Sequence, residues 1–467
     1  MIAEERLRGR PLGVLMVLCG AIFLEGIDVA MLNVALPAIR ADLGLSTTML
    51  SGVVSAYVLG YGGFMLLGGR AADLLGRRRM FLLWLTVFLI FSGLGGFANE
   101  GWVLLVARFV TGVAAGFMTP AGLSLITTGF AEGRLRNKAL LIYAGTAAAG
   151  FALGLVVGGL LTALGWRWVF FAPVILALAI LLTAIPLIKE PAVPPRAGGR
   201  FDLPGAATIT GAMMLLVYGV VRLEHPAEGW VWTAAVFAGG LALVAAFVAI
   251  ERRSAEPLIR LGVFRSGALV RANLAAILLT AAFFGFQFLI TLYLQELRGW
   301  SAIQTGLALL AAAADVVLAP TLTPVLVNRF GNARVIFGGL VSGLVAFILF
   351  LGVGMDWTYA AMLPSMLLIG LMFAFVYGPL TIVATEGIDE HEQGLAGGLI
   401  NTSFQFGAAL GLSAVTAVNV AALAAGSTGI DALRAGLAVP VAATLLAAVI
   451  VASGLRGRTR APVPARV

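Results

Sequence analysis

Gly69-Arg70-Ala71-Ala72-Asp73-Leu74-Leu75-Gly76-Arg77-Arg78-Arg79 puts five charges in eleven residues, and the residues on either side of it are apolar for a long way. The flanking runs, 53–68 and 80–97, are each about the length that crosses ~30 Å of hydrocarbon at ~1.5 Å rise per residue. A short charged stretch punctuated by glycines between two such runs must lie at a membrane surface.

The whole chain has the same character. Of its 467 residues, 61% are hydrophobic and 11% charged, whereas a soluble domain carries about 25% charged residues. This is the composition of an all-α polytopic membrane protein. Apolar windows between charged or Pro/Gly-rich breaks predict fourteen spans, arranged as six, two and six. The N-terminal six-helix bundle is expected at 1–190. A linker with two extra spans and a basic amphipathic connector follows at 191–265, then a C-terminal six-helix bundle at 266–455 and a basic tail at 456–467.

Lys and Arg are retained in cytoplasmic loops, which orients the chain. With the N-terminus inside, 24 of the 30 Lys and Arg residues fall in inner segments, and only Arg40, Arg167, Arg222, Arg298 and Arg434 fall in outer ones. Both termini are therefore expected in the cytoplasm, with the chain in the cytoplasmic membrane. Tryptophan favours the membrane interface. Seven of the eight fall at outer ends, and Trp84 is the exception.

The net charge of +8 follows from this topology, since the basic residues are scattered over seven inner segments, and no nucleic-acid partner is implied. The lone Cys19 lies in an apolar helix and no zinc-type Cys/His spacing occurs, so neither a metal nor a cofactor is expected. The first span carries acids and lacks a small-residue cleavage site, so it is read as retained.

Acids and bases within the spans are the candidate functional groups, because a charged side chain at the centre of a span costs ~2.5–3.5 kcal/mol on insertion scales. Glu25 and Asp28 are three apart on the first span and share a helix face. Two carboxylates so placed interact, as a proton carrier requires. Glu25 has a second reading as a counter-charge for a cationic substrate. Asp315 is a third acid within a span, either a second protonation site or a residue of a wet cavity. Arg108 lies inside the fourth span and needs a partner there, for which Glu25 or Asp28 is the natural choice. Gly150, Gly154 and Gly158 form a ridge for close helix contact on the fifth span. Asn401 and Gln405, four apart, share a face of the thirteenth. Tyr57 with Tyr61, and Phe284 beside Gln287, would suit flat lipophilic cations through the ring faces. With Asn33 these residues make the expected substrate cavity.

The stretch 69–79 resembles the G-x-x-x-D-x-x-G-R-R signature between spans two and three of the major facilitator superfamily of secondary transporters. Asn328-Arg329-Phe330-Gly331-Asn332-Ala333-Arg334 is a weaker echo at the matching place in the second half, as a duplication gives. Asp28 to Pro37 resembles the first-span motif of the fourteen-span drug:proton antiporters, L-D-x-T-x-V-N-V-A-L-P, with Ala30 in place of the threonine. Arg108 and Gly112 resemble the fourth-span R-x-x-x-G element associated with proton coupling. In the antiporter motif of span five this chain has Leu155 where the family has proline, which removes an expected kink.

The resemblance implies two six-helix bundles plus two linker spans, working by alternating access as a carrier and not as an enzyme. Gly69, Asp73, Gly76, Arg77 and Arg78 would act at the inner gate. Protons and a small-molecule drug would be the partners, with the bilayer around a monomer. Two other readings stand beside proton-coupled drug efflux: a dedicated metabolite or lipid exporter on the same fold, and a membrane scaffold or sensor that does not transport.

Overall fold

The computed structural model describes residues 9–130, 134–189, 202–222, 229–254, 262, 265–386 and 390–458. The chain divides into two compact units, Met1–Arg260 with Ile290–Leu310, and Leu261–Leu289 with Ala311–Val467.

The first unit is built from α1 (Arg10–Leu43), α2 (Thr47–Leu75), α3 (Arg77–Gly96), α4 (Gly101–Gly129), α5 (Arg134–Leu164), α6 (Trp168–Leu187), α7 (Leu203–Arg222) and α8 (Trp230–Glu251). Local signals set the ends. A proline opens α1, and Gly44 closes it in the left-handed conformation with its N–H on the Arg40 carbonyl, a C-terminal device that favours glycine. Ser46 caps α2 by accepting the Met49 N–H at 3.1 Å, satisfying one of the orphan donors of a helix N-terminus.

Glycine decides which helices approach closely. A Cβ on Gly26 would lie 2.7 Å from the Ala147 carbonyl oxygen, and one on Gly150 2.7 Å from that of Phe23, so α1 and α5 touch backbone to backbone. Gly60, Gly68, Gly112 and Gly116 do the same between α2 and α4. Small residues at such crossings are how helices pack in a membrane, where no hydrophobic force draws one helix to another. Thr210 of α7 donates to the Gly63 carbonyl of α2 at 2.8 Å, so the α7/α8 hairpin belongs to the first unit.

The second unit holds most of α9 (Gly267–Leu292), then α11 (Asp315–Phe330), α12 (Asn332–Phe350), α13 (Tyr359–Thr385), α14 (Glu390–Ala424) and α15 (Gly429–Arg458). The short α10 (Ala302–Leu309) belongs to the first unit. The duplication is visible inside each unit taken alone. Gly407 of α14 packs on Ile277 of α9 with a Cβ distance of 2.6 Å to its Cα, and Gly411 packs on Ala281, just as Gly154 and Gly158 of α5 pack on Ile27 and Met31 of α1.

The stretch 69–79 is more helical than its sequence predicts. Residues 69–75 are the last turns of α2, and the reversal is made by Gly76 alone, at φ 99° and ψ 125°. Gly331 joins α11 to α12 in nearly the same way, at φ 82° and ψ 155°. Positive φ of this kind is open to glycine and strained for other residues. Gly69 has free space, its nearest neighbour for a Cβ being Pro120 at 3.8 Å, and the tight contact falls on Gly68, 2.7 Å from the Phe117 Cα. Gly69→Ala is therefore expected to leave the melting temperature of the detergent-purified protein unchanged, while Gly68→Val lowers it by several degrees; equal effects would show that this crossing does not need glycine.

The sequence predicts fourteen spans, and among the described residues twelve helices are long and apolar enough to cross a membrane. The shortfall has two sources. In α7 the described apolar stretch runs only Pro204–Leu216. The tenth predicted span is divided into α10, of 8 residues, and α11, of 16. Between them Leu310 N–H bonds to Leu307 O, and Ala314 N–H to Ala311 O, each three residues back, the tightened winding of a 3₁₀ turn. Four consecutive alanines have the highest helix propensity, so nothing local in the sequence announces the change.

Candidate functional site

The charged groups predicted on α1 and α4 meet in the core of the first unit. Arg108 Nη1 donates to Asp28 Oδ2 at 2.6 Å, and each side chain is only 2% exposed. The guanidinium carbon also lies 4.3 Å from the centre of the Tyr57 ring, so the cation is held by a carboxylate and by a ring face. Tyr57 and Tyr61 pack edge to face with centroids 5.9 Å apart.

Glu25, one turn along α1, has a different shell. Tyr61 Oη is hydrogen-bonded with its Oε2 at 3.0 Å, Thr119 Oγ1 donates to its Oε1, and the Tyr61 and Thr119 oxygens are themselves 3.0 Å apart. Asp28 thus has a cationic partner and Glu25 has hydroxyls. Thr119 is absent from the sequence-based site. Its signal was available, because it lies eleven residues after Arg108, three helical turns on and so on the same face of α4.

Three buried polar groups surround this core with no partner for one of their atoms: Asn33 Nδ2, Tyr57 Oη and Arg108 Nε. Asn33 and Tyr57 are 4% and 2% exposed, so a ligand or water that reached them would satisfy groups otherwise costly to bury.

The glycine ridge supports the acids. A Cβ on Gly154 would lie 2.8 Å from the Ile27 carbonyl oxygen and 2.7 Å from the Ala30 Cβ, and one on Gly158 2.6 Å from the Met31 Cα. Alanine at position 30 leaves room for that approach. Leu155 is buried in an unbroken α5, so its backbone carries no proline kink.

At the inner end predicted from charge, Arg78 reaches α6. Its Nε donates to the Ile188 carbonyl and its Nη2 to that of Ile185 at 2.9 Å, while Arg10 donates to Leu187 O at 3.0 Å. The final carbonyls of a helix lack intrahelical donors and attract cations, so two arginines tie α1 and α3 to the end of α6. Arg77 opens α3. Asp73 lies on α2, and its side chain is outside the described residues. At the other end of α1, Arg40 pairs with Glu296 at 2.7 Å and Gln295 donates to Val34 O at 2.9 Å, both from the single π turn Tyr293–Leu297.

The remaining predicted groups lie in the second unit. Asp315 is the first residue of α11, directly after the 3₁₀ turn. Gln287 is buried, and Phe284 packs on Phe283 with centroids 5.3 Å apart. Asn401 donates to Gly397 O of its own helix at 2.9 Å, and Gln405, one turn on, is half-buried. The sequence reading missed an aromatic stack here: Tyr377 lies between Phe373 and Phe404 with near-parallel rings, at 5.0 and 4.2 Å. Phe373 and Tyr377 are four apart on α13 and share a face, but Phe404 comes from α14, and no spacing in the chain brings it to them.

A buried acid–arginine core in the first unit, and glycine-packed helix pairs that recur in both units, define the class as a multi-pass helical membrane protein. Residues 18–412 match the Major Facilitator Superfamily, and the chain belongs to that family. It is 35% identical over 408 residues to a cephamycin export protein, CmcT, of Amycolatopsis lactamdurans, covering 86% of this chain and 84% of that one. It is 34% identical over 425 residues to the puromycin resistance protein pur8 of Streptomyces alboniger, covering 88% and 82%. Among solved structures the POT family transporter PepTSo matches with a TM-score of 0.69 at 16% identity, over 95% of this chain and 98% of that one, a likeness of fold alone. The family and these relatives are membrane transporters.

Proposed function

We propose that this protein exports lipophilic, cationic drugs across the cytoplasmic membrane by proton antiport, working by alternating access as a fourteen-span member of the drug:proton antiporters. The observation that carries the reading is the buried Glu25, Asp28 and Arg108 core, because ionisable groups are costly in a membrane interior and mark substrate or proton pathways by default. The two relatives, one named for antibiotic export and the other for antibiotic resistance, support efflux of a drug-like molecule. In this reading both termini are cytoplasmic, α7 and the α10–α11 pair complete the fourteen crossings, and Asn33, Tyr57, Tyr61, Phe284, Gln287, Asn401 and Gln405 meet the substrate. The relative named for cephamycin export favours a second reading, a dedicated exporter of one metabolite on the same machinery.

Exchange of one proton for one monovalent cation moves no net charge and draws only on the pH difference, worth about 1.4 kcal/mol per unit. A second proton would add the membrane potential, ~2.3 kcal/mol per charge per 100 mV. Proteoliposomes loaded with ethidium and placed in a more acidic medium are expected to lose dye several-fold faster than those without a gradient. Equal rates would overturn proton coupling, and a gradient-driven efflux unaffected by voltage would fix exchange at one to one.

A further inference from the structure

Resting on the proton-coupled reading, we propose that Glu25 is the carboxyl that takes up and releases the transported proton, that Asp28 keeps its pair with Arg108, and that the ring of Glu25, Tyr61 and Thr119 is the proton-loaded form. The division of labour follows from what surrounds each acid. Asp28 is bound to Arg108 at 2.6 Å in the interior. Protonating it would strand the guanidinium without its counter-ion, and breaking a buried pair from one side is strongly unfavourable. Glu25, 5% exposed, has hydroxyls for hydrogen-bond partners. The titratable or charged groups around it are Asp28 on its own helix, Tyr57 and Tyr61 from α2, Arg108 from α4 and Tyr143 from α5. Arg108, the one cation among them, is taken up by Asp28.

The geometry of the ring counts protons. It has three oxygen–oxygen contacts at hydrogen-bonding distance: Glu25 with Tyr61, Tyr61 with Thr119, and Thr119 with Glu25. Two hydroxyls supply two protons, and an ionised carboxylate supplies none. With Glu25 ionised, one contact would set two oxygen lone pairs against each other. A proton on Oε2 completes the cycle: the carboxyl donates to Tyr61, Tyr61 donates to Thr119, and Thr119 donates to Oε1. Each oxygen of the cycle is then satisfied, as a buried polar group requires. On release the proton leaves Oε2 for water, and both hydroxyls turn to the carboxylate, one on each oxygen. Tyr61 breaks its bond to Thr119 in doing so, which links the proton to the contact between α2 and α4.

The test is infrared titration of the purified protein in lipid, paired with gradient-driven ethidium efflux. The wild-type protein is expected to show a protonated-carboxyl band that disappears at alkaline pH. Glu25→Gln should lose that band and slow gradient-driven efflux tenfold or more. Glu25→Asp, which keeps a carboxyl on a shorter arm, should retain a band at altered frequency and move the pH midpoint of efflux; it carries the test if the glutamine variant fails to fold. An unchanged band or undiminished gradient-driven efflux in Glu25→Gln would overturn the assignment, as would an aspartate variant with the wild-type band and midpoint. If the wild-type protein itself shows no gradient-driven efflux, the coupling reading fails, and the assignment built on it fails too.

Discussion

Arg108→Ala is expected to lower the stability of the purified protein by about 3–5 kcal/mol and to leave little of it monodisperse in detergent. The substitution leaves the Asp28 carboxylate in the interior with no cation, and it removes the guanidinium from the face of Tyr57. It acts at the contact of three helices, because Asp28, Tyr57 and Arg108 come one each from α1, α2 and α4. The double variant Asp28→Asn with Arg108→Gln replaces the ion pair by neutral amides, the first isosteric with the residue it replaces and the second shorter. A neutral pair avoids the desolvation of two charges, so the double variant should recover most of the lost stability, yet its gradient-driven export should stay at least tenfold below wild type. Thermal unfolding followed by tryptophan fluorescence, with size-exclusion profiles, measures the first effect, and efflux from proteoliposomes the second. If Arg108→Ala unfolds at the wild-type temperature, the ion pair does not hold these helices together. If the double variant transports normally, the pair is structural and has no part in coupling.

The pieces of this core were legible in the sequence to different degrees, for physical reasons. Glu25, Asp28 and Arg108 stand out because charge in hydrocarbon is rare, and the need of Arg108 for an acid follows from charge alone. Which acid it takes does not, since Glu25 and Asp28 share one helix face and differ by about 4.5 Å of rise. The choice depends on the depth at which α4 crosses α1, a tertiary quantity. Thr119 shares a face of α4 with Arg108, three turns on, but it is one neutral hydroxyl among many, and that register singles it out only once Glu25 is known to face α4. The spans themselves were legible from hydropathy, except where tertiary packing overrides local preference. Gly370 of α13 lies against the backbone of Ala311 and Ala312, a Cβ there falling 3.0 Å from the Ala312 carbonyl oxygen. That contact sits at the 3₁₀ turn inside the alanine run, where propensity favours an unbroken helix. The reversal near 69–79 was located correctly but read as too long: the arginines mark the membrane surface, and the backbone reverses at the one residue, Gly76, that has a positive φ.

Gly154→Val is expected to abolish transport, with efflux reduced to the level of empty liposomes, although it introduces no charge and touches no ionisable side chain. A Cβ at this position falls 2.7 Å from the Ala30 Cβ, 2.8 Å from the Ile27 carbonyl oxygen and 2.9 Å from the Ile27 Cα. Two of those three atoms belong to backbone, which cannot rotate away as a side chain can. The helices must therefore separate, and the strain of overpacking a tight crossing is about 1–3 kcal/mol or more. Ile27 lies between Glu25 and Asp28, so any displacement of α1 at this point moves both acids relative to Arg108, Tyr61 and Thr119 on the other helices. A displacement of about 1 Å takes the 2.6 Å Arg108–Asp28 contact out of hydrogen-bonding range and opens the three-oxygen ring. Gly145→Ala, on the same helix with nothing within 4 Å of its Cβ, is the matched control and should transport at the wild-type rate. Restoring space from the other side offers a further check: Ile27 contributes backbone, so trimming its side chain with Ile27→Ala should not rescue Gly154→Val. Rescue by that change would mean that side-chain crowding, and not the approach of the two backbones, sets the position of the acids.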